Sequence, residues 1–125
     1  MKANNQADAA NAALATFAGT WNVRGLNEAG DSIVGYQIVA TADTSGWTVI
    51  LPGRDPIPLR VSVDGDSVTT DAGPYESVLR PGVQVTTHAI ARVVDGKLVG
   101  HTVARYATAA ADSVVQIRMD GTKAP

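Results

Sequence analysis

The chain of 125 residues has no cysteine, which removes disulfides, thiolate metal sites and cysteine nucleophiles and leaves the redox compartment open. Its 10 lysines and arginines are scattered among 12 acidic residues. Nucleic acid or an anionic bilayer would require a basic stripe, so no nucleic-acid partner is expected. No apolar run approaches the ~20 residues of a membrane helix, and no membrane insertion is expected. A Gly-x-Ser-x-Gly elbow, a Gly-rich phosphate loop and the full ligand set of a calcium loop are missing too. No cofactor is implied.

What remains is globular: 45% hydrophobic, 18% charged, and of a length suited to one domain. The opening MKANNQADAA lacks the hydrophobic segment of a signal peptide. Residues 1–5 read as a disordered or linker N-terminus, and the polar KANNQ (residues 2–6) suits a linker left after signal removal, which leads to the expectation of a periplasmic or secreted protein. A cytoplasmic chain is the other reading.

Residues 6–17, QADAANAALATF, are rich in alanine, and Ala10, Ala13, Leu14 and Phe17 form one apolar stripe, so a short helix is expected there. Gly19 suits its end. After it come eight turn signals and nine expected strands, near 20–26, 32–41, 47–51, 57–63, 66–71, 75–79, 83–94, 97–106 and 113–120. Short strands with no helix between them favour an antiparallel up-and-down barrel of 8–9 strands over a parallel sheet, since closure hides the edges.

Asp95-Gly96 suits a two-residue type I′ turn and pairs Val94 with Lys97, Ala89 with Thr102 and Val85 with Tyr106. Asp64-Gly65 makes the same argument for a second hairpin. Alternation sends Trp21 and Val23, Val34, Tyr36 and Ile38, Trp47, Val49 and Leu51, and Val115, Ile117 and Met119 to the inner face. Ala89, Ala91, Gly100 and Ala104 then make one wall of small residues. Such a wall needs bulky groups opposite or a ligand. A barrel of about eight strands sits on that boundary.

Gly19-Thr20-Trp21, after a short helix and opening the first strand, resembles the calycin superfamily of lipocalins, fatty-acid-binding proteins and avidins. The resemblance implies that residues 6–125 form one lipocalin-like barrel with Trp21 as its plug. A basic residue late in the last strand would pack across the indole, and Arg118 is the candidate. GTW, SGWTV and LVGHT also sound like avidins, but SGWTV comes too early and there are only two tryptophans. Biotin binding is not carried over. The chain is more similar to small bacterial lipocalin-like proteins of unassigned role.

Candidate chemistry is thin. His88 and His101 fall diagonally on the outer face with Arg92 and Arg105 beside them, and no carboxylate is placed near them, so solvent-facing histidines are expected and catalysis is not. DAGPYESVLRPG, residues 71–82, reads as an irregular loop at a barrel mouth. The expected function is noncovalent binding of a small, mostly apolar molecule, lined by Tyr36, Trp47, Thr87, Thr102 and Tyr106 with Tyr75 near the mouth. The competing reading is a structural or accessory protein that works through its outer surface, as an oligomer or with a protein partner.

Overall fold

A computed structural model describes residues 14–108 and 113–124. Residues 14–17 are helical, the last turn of the expected helix. The rest of that helix, the linker and the turn at 109–112 lie outside the described residues. Nine antiparallel strands follow: β1 (Gly19–Leu26), β2 (Ser32–Ala40), β3 (Thr48–Ile50), β4 (Ile57–Pro58), β5 (Arg60–Asp64), β6 (Ser67–Glu76), β7 (Gln84–Val94), β8 (Lys97–Tyr106) and β9 (Val114–Lys123). They form one sheet in the order β4-β3-β2-β1-β9-β8-β7-β6-β5.

The two ends of that order, β4 and β5, are separated by Leu59 alone, so the sheet curls into a nearly closed up-and-down barrel. The expected strand at 57–63 is therefore split. Its first part pairs with β3, and its second part pairs with β6. The Leu59 amide donates to the Trp47 carbonyl (2.9 Å), which carries the ladder through the break.

The Asp95-Gly96 hairpin has the expected register throughout, from Val94↔Lys97 to Val85↔Tyr106. Asp95 (φ 52°) and Gly96 (φ 77°) both take the positive φ that a type I′ turn demands. At the other hairpin the loop is Gly65-Asp66 rather than Asp64-Gly65, because Asp64 pairs with Ser67. Only its first central residue, Gly65 (φ 61°), has positive φ, as a glycine-led II′ turn requires. The shift moves each pairing by two residues in total, so Val61, Val63, Val68 and Thr70 keep a common face.

The stretch 71–82 is more regular than its sequence suggests. β6 runs unbroken from Ser67 to Glu76, absorbing Gly73-Pro74 as an irregularity between Ala72 and Tyr75. Irregular chain is confined to 77–83. β9 runs to Lys123, three residues past its expected end.

Strand direction sorts the connections. The turns at 41–47, 65–66 and 95–96 and the helical residues share one end; those at 27–31, 51–56 and 77–83 share the other, with residues 107–108 and 113. The first end is plugged. Leu14, Phe17, Trp21, Trp47, Val68 and Leu98 are buried together there, with the Phe17 and Trp47 rings 5.8 Å apart. Trp21 is 1% exposed, and its Nε1–H donates to the Phe17 carbonyl (2.7 Å), fastening the last helical turn to the barrel. Trp21 closes the barrel.

The basic residue beside Trp21 is Lys123, not Arg118. The Lys123 ammonium sits 5.4 Å from the indole centroid, and the two residues are paired across β1 and β9. Strand parity explains the correction: Ile117, Met119, Gly121 and Lys123 share the inward side of β9, while Arg118 is exposed on the outer side. Gly19 (φ 132°) admits this lysine, because a Cβ there would stand 2.6 Å from Lys123 Cε.

Candidate functional site

Above the plug the lumen is not filled. A cavity of about 100 Å³ lies in the half of the barrel away from the helix. Its apolar walls include Ile38, Val49, Leu51, Val85, Ile117 and Met119. The small residues Ala89 and Ala104 make room on β7 and β8. Gly100 serves a different purpose, since a Cβ there would run into the Ile90 carbonyl oxygen and the Ala91 Cα on the neighbouring strand. It permits close strand approach and adds nothing to the hollow.

Of the six residues expected to line a ligand site, five border this cavity: Tyr36, Tyr75, Thr87, Thr102 and Tyr106. Trp47 does not. Trp47 is 3% exposed within the plug, and its Nε1–H donates to the Asp43 carbonyl (2.7 Å). The loop beneath it is fixed by Asp43, whose Oδ1 accepts from the Ser45 amide (2.6 Å) and the Ser45 hydroxyl (2.7 Å). Those bonds hold the exposed Asp43 carboxyl below its ordinary range, the backbone bond most strongly.

The polar groups of the lumen are hydroxyls. The Tyr36 phenol faces Thr102, and the Tyr75 phenol faces Thr87. Burial pushes the Tyr36 phenol well above its usual range; nearby Tyr75 adds to this and the Thr102 hydroxyl opposes it. Tyr75 is raised in the same way, chiefly by burial, with the Thr87 hydroxyl opposing. Both are therefore neutral at any physiological pH. Among the described residues that line the cavity there is no Asp, Glu, Lys, Arg or His.

A strap at 77–83 covers the mouth, and Val78 and Leu79 from it line the cavity. Ser77 organises it: its buried Oγ accepts from the Leu79 amide (3.1 Å) and the Arg80 amide (3.0 Å), and its own amide donates to the Val83 carbonyl (2.9 Å). Two arginines hold it down. The Arg54 guanidinium reaches from the 51–56 connection to the Glu76 and Ser77 carbonyls, and Arg80 lies 4.0 Å above the Tyr106 ring. This role for Ser77 was not read from the sequence, where it is one serine among many.

The outer face holds the two histidines, and a carboxylate does accompany one of them. His88 Nδ1–H donates to Asp71 Oδ1 (2.7 Å), because β6 runs beside β7 in the register Asp71↔His88. Reading Asp71 as a turn residue concealed this pair. His101 Nε2–H donates to Gln116 Oε1 (2.8 Å). Among the described residues no group of three or more His, Cys, Asp or Glu could hold a metal ion. None of their helices is long and apolar enough to cross a membrane.

The architecture is thus a nearly closed antiparallel barrel consistent with a lipocalin-like fold. No family model, curated protein or solved structure matches the chain.

Proposed function

We propose that the protein binds a small, mostly apolar molecule noncovalently in its lumen, as a non-enzymatic lipocalin-like carrier or sensor. The observation that carries this reading is a hollow of about 100 Å³ beneath a strap. Interiors of this size ordinarily pack solid, and an apolar cavity of about 150 Å³ suffices for a benzene. The size also limits the reading. Pockets for drug-sized ligands run to roughly 300–1,000 Å³, so the occupant is a molecule of about four or five non-hydrogen atoms.

Kinship with the calycins belongs to the same proposal. It is supported by Gly19-Thr20-Trp21 at the head of the first strand and by the Lys123 cation over the indole at the foot of the last.

The test is methyl NMR under xenon, a probe that enters dry apolar cavities. Ile117 and Met119 methyl signals are expected to shift and saturate in the wild type and to stay fixed in Ala104→Leu. No shift in the wild type overturns the reading. Native mass spectrometry of protein purified from its own host would then identify a retained molecule.

A second reading places the activity on the outside. Ile90 (44% exposed) and Val114 (48%) lie on the outer faces of β7 and β9, and either an oligomer or a protein partner would cover them. A sedimentation mass of several protomers, with no xenon response, would establish that alternative.

A further inference from the structure

We propose that the outer face of β7, β8 and β9 is a docking surface for an acidic, extended segment of a protein partner. This is independent of what the lumen holds.

Strand parity gathers cations that the sequence disperses. Arg92 projects outward from β7, Lys97 and Arg105 from β8, and Arg118 from β9, and all four are exposed. Among the described residues the face carries one acid, Asp120, and its carboxylate already holds Arg24 of β1 (2.8 Å). Asp71 on the flanking β6 is likewise engaged, with His88 (2.7 Å). No ion pair among the described residues engages Arg92, Lys97, Arg105 or Arg118. The whole chain has 12 acidic residues against 10 basic ones, so the positive excess belongs to this face alone.

A second observation falls on the same strands. Ile90, Val94 and Val114 are large hydrophobic side chains left exposed, and all three lie here. The register interleaves them with the cations: Val114 stands opposite Arg105, and Ile90 stands in one row with His101 and Arg118. Arginine mixed with aliphatic groups is the composition of a protein contact.

Charge complementarity selects the occupant. A second copy docked twofold through this face would set arginine against arginine. Single-stranded nucleic acid asks for stacking rings and a bilayer for Trp or Tyr at the headgroups, and among the described residues the face has no Phe, Tyr or Trp. Carboxylates alternating with apolar side chains match both kinds of group. Arg92 stands opposite Val99, six residues along β8 from Arg105. That is about 20 Å, the span of about six extended residues.

The experiment follows backbone amide signals of the full chain during titration with acetyl-Glu-Leu-Glu-Val-Glu-Leu-Glu-amide. Saturable shifts are expected on β7, β8 and β9, weakening as salt rises. Affinity should fall about tenfold in the double variant Arg105→Gln/Arg118→Gln and fall again in Ile90→Ser, but stay unchanged in Arg60→Gln on β5. The same peptide with Gln for every Glu should not bind. The proposal is overturned by an absence of saturable shifts, by binding that survives the double variant, or by tighter binding of oligo-dT or phosphatidylglycerol vesicles to this face. Self-association abolished by the double variant overturns it too, in favour of a second copy. None of these outcomes touches the lumen, which the Ile117 and Met119 methyls report separately.

Discussion

Lys123 and Trp21 face each other across the first and last strands, with the ammonium 5.4 Å from the indole centroid. The contact joins the two ends of the described chain at the plugged end of the barrel. An exposed cation–π contact contributes about 0.5–1 kcal/mol, so Lys123→Ala is expected to destabilise by that amount in urea unfolding. Arg118→Ala, on the outer side, should stay within about 0.5 kcal/mol of wild type. Gly19→Ala should cost more than either, because φ 132° and the nearby lysine side chain both penalise a Cβ. Equal effects of the two basic-residue variants would refute the assignment of Lys123.

Gly100 and Ala104 lie on the same inner face of β8 and make opposite predictions. Ala104→Val adds methyl groups toward the cavity and should change stability by less than about 1 kcal/mol. Gly100→Val drives its Cβ into the backbone of β7 and should cost about 3 kcal/mol or more, or prevent folding. Denaturation midpoints check both. An Ala104→Val penalty as large as that of Gly100→Val would mean the lumen is solid.

The strap depends on Ser77. Ser77→Ala removes the acceptor of two amide hydrogen bonds while leaving the side chain's volume nearly intact. A loss of about 1–2 kcal/mol is expected, as for other hydroxyls that hold backbone amides at turns and caps. Amide exchange should quicken at Leu79 and Arg80. Arg54→Ala should quicken the same amides with a smaller effect on global stability, since it frees the strap from the 51–56 connection. Unchanged exchange at 77–83 in both variants would show that the strap is held by other contacts.

Inner and outer faces were legible in the sequence because alternation is enforced by burial, and the Asp95-Gly96 register because turn chemistry allows few options. What was missed depends on pairings between distant strands. The Asp71–His88 pair follows from the β6–β7 register, which no short turn dictates. Placing Trp47 in the plug rather than the cavity required knowing how far along the barrel axis each inward residue sits. Alternation reports the face of a residue and not its height. Choosing Arg118 over Lys123 came from ending β9 too early, although inward parity at Ile117 and Met119 already pointed to residue 123. Tyr36, Thr87, Thr102 and Tyr106 were legible as inward-facing from alternation and hairpin register, whereas Tyr75 was legible only as a residue of the irregular stretch near the mouth.

The lumenal phenols also make stability depend on alkaline pH. Burial raises Tyr36 above its ordinary value of 10.0 in the folded protein, so the unfolded chain releases that proton first. The contribution of neutral Tyr36 is complete below the ordinary value and declines as pH rises beyond it toward the folded one. With one proton's difference between the states, the slope reaches at most about 1.4 kcal/mol per pH unit, and Tyr75 adds to it in the same direction. Urea unfolding at roughly pH 9 and roughly pH 11 should therefore show a loss of about 1 kcal/mol or more in the wild type, and a smaller loss in Tyr36→Phe. Tyrosinate absorbance should rise at high pH in step with unfolding. If Tyr36→Phe loses as much stability as the wild type over that interval, the Tyr36 phenol is hydrated in the folded protein and is not held neutral by burial.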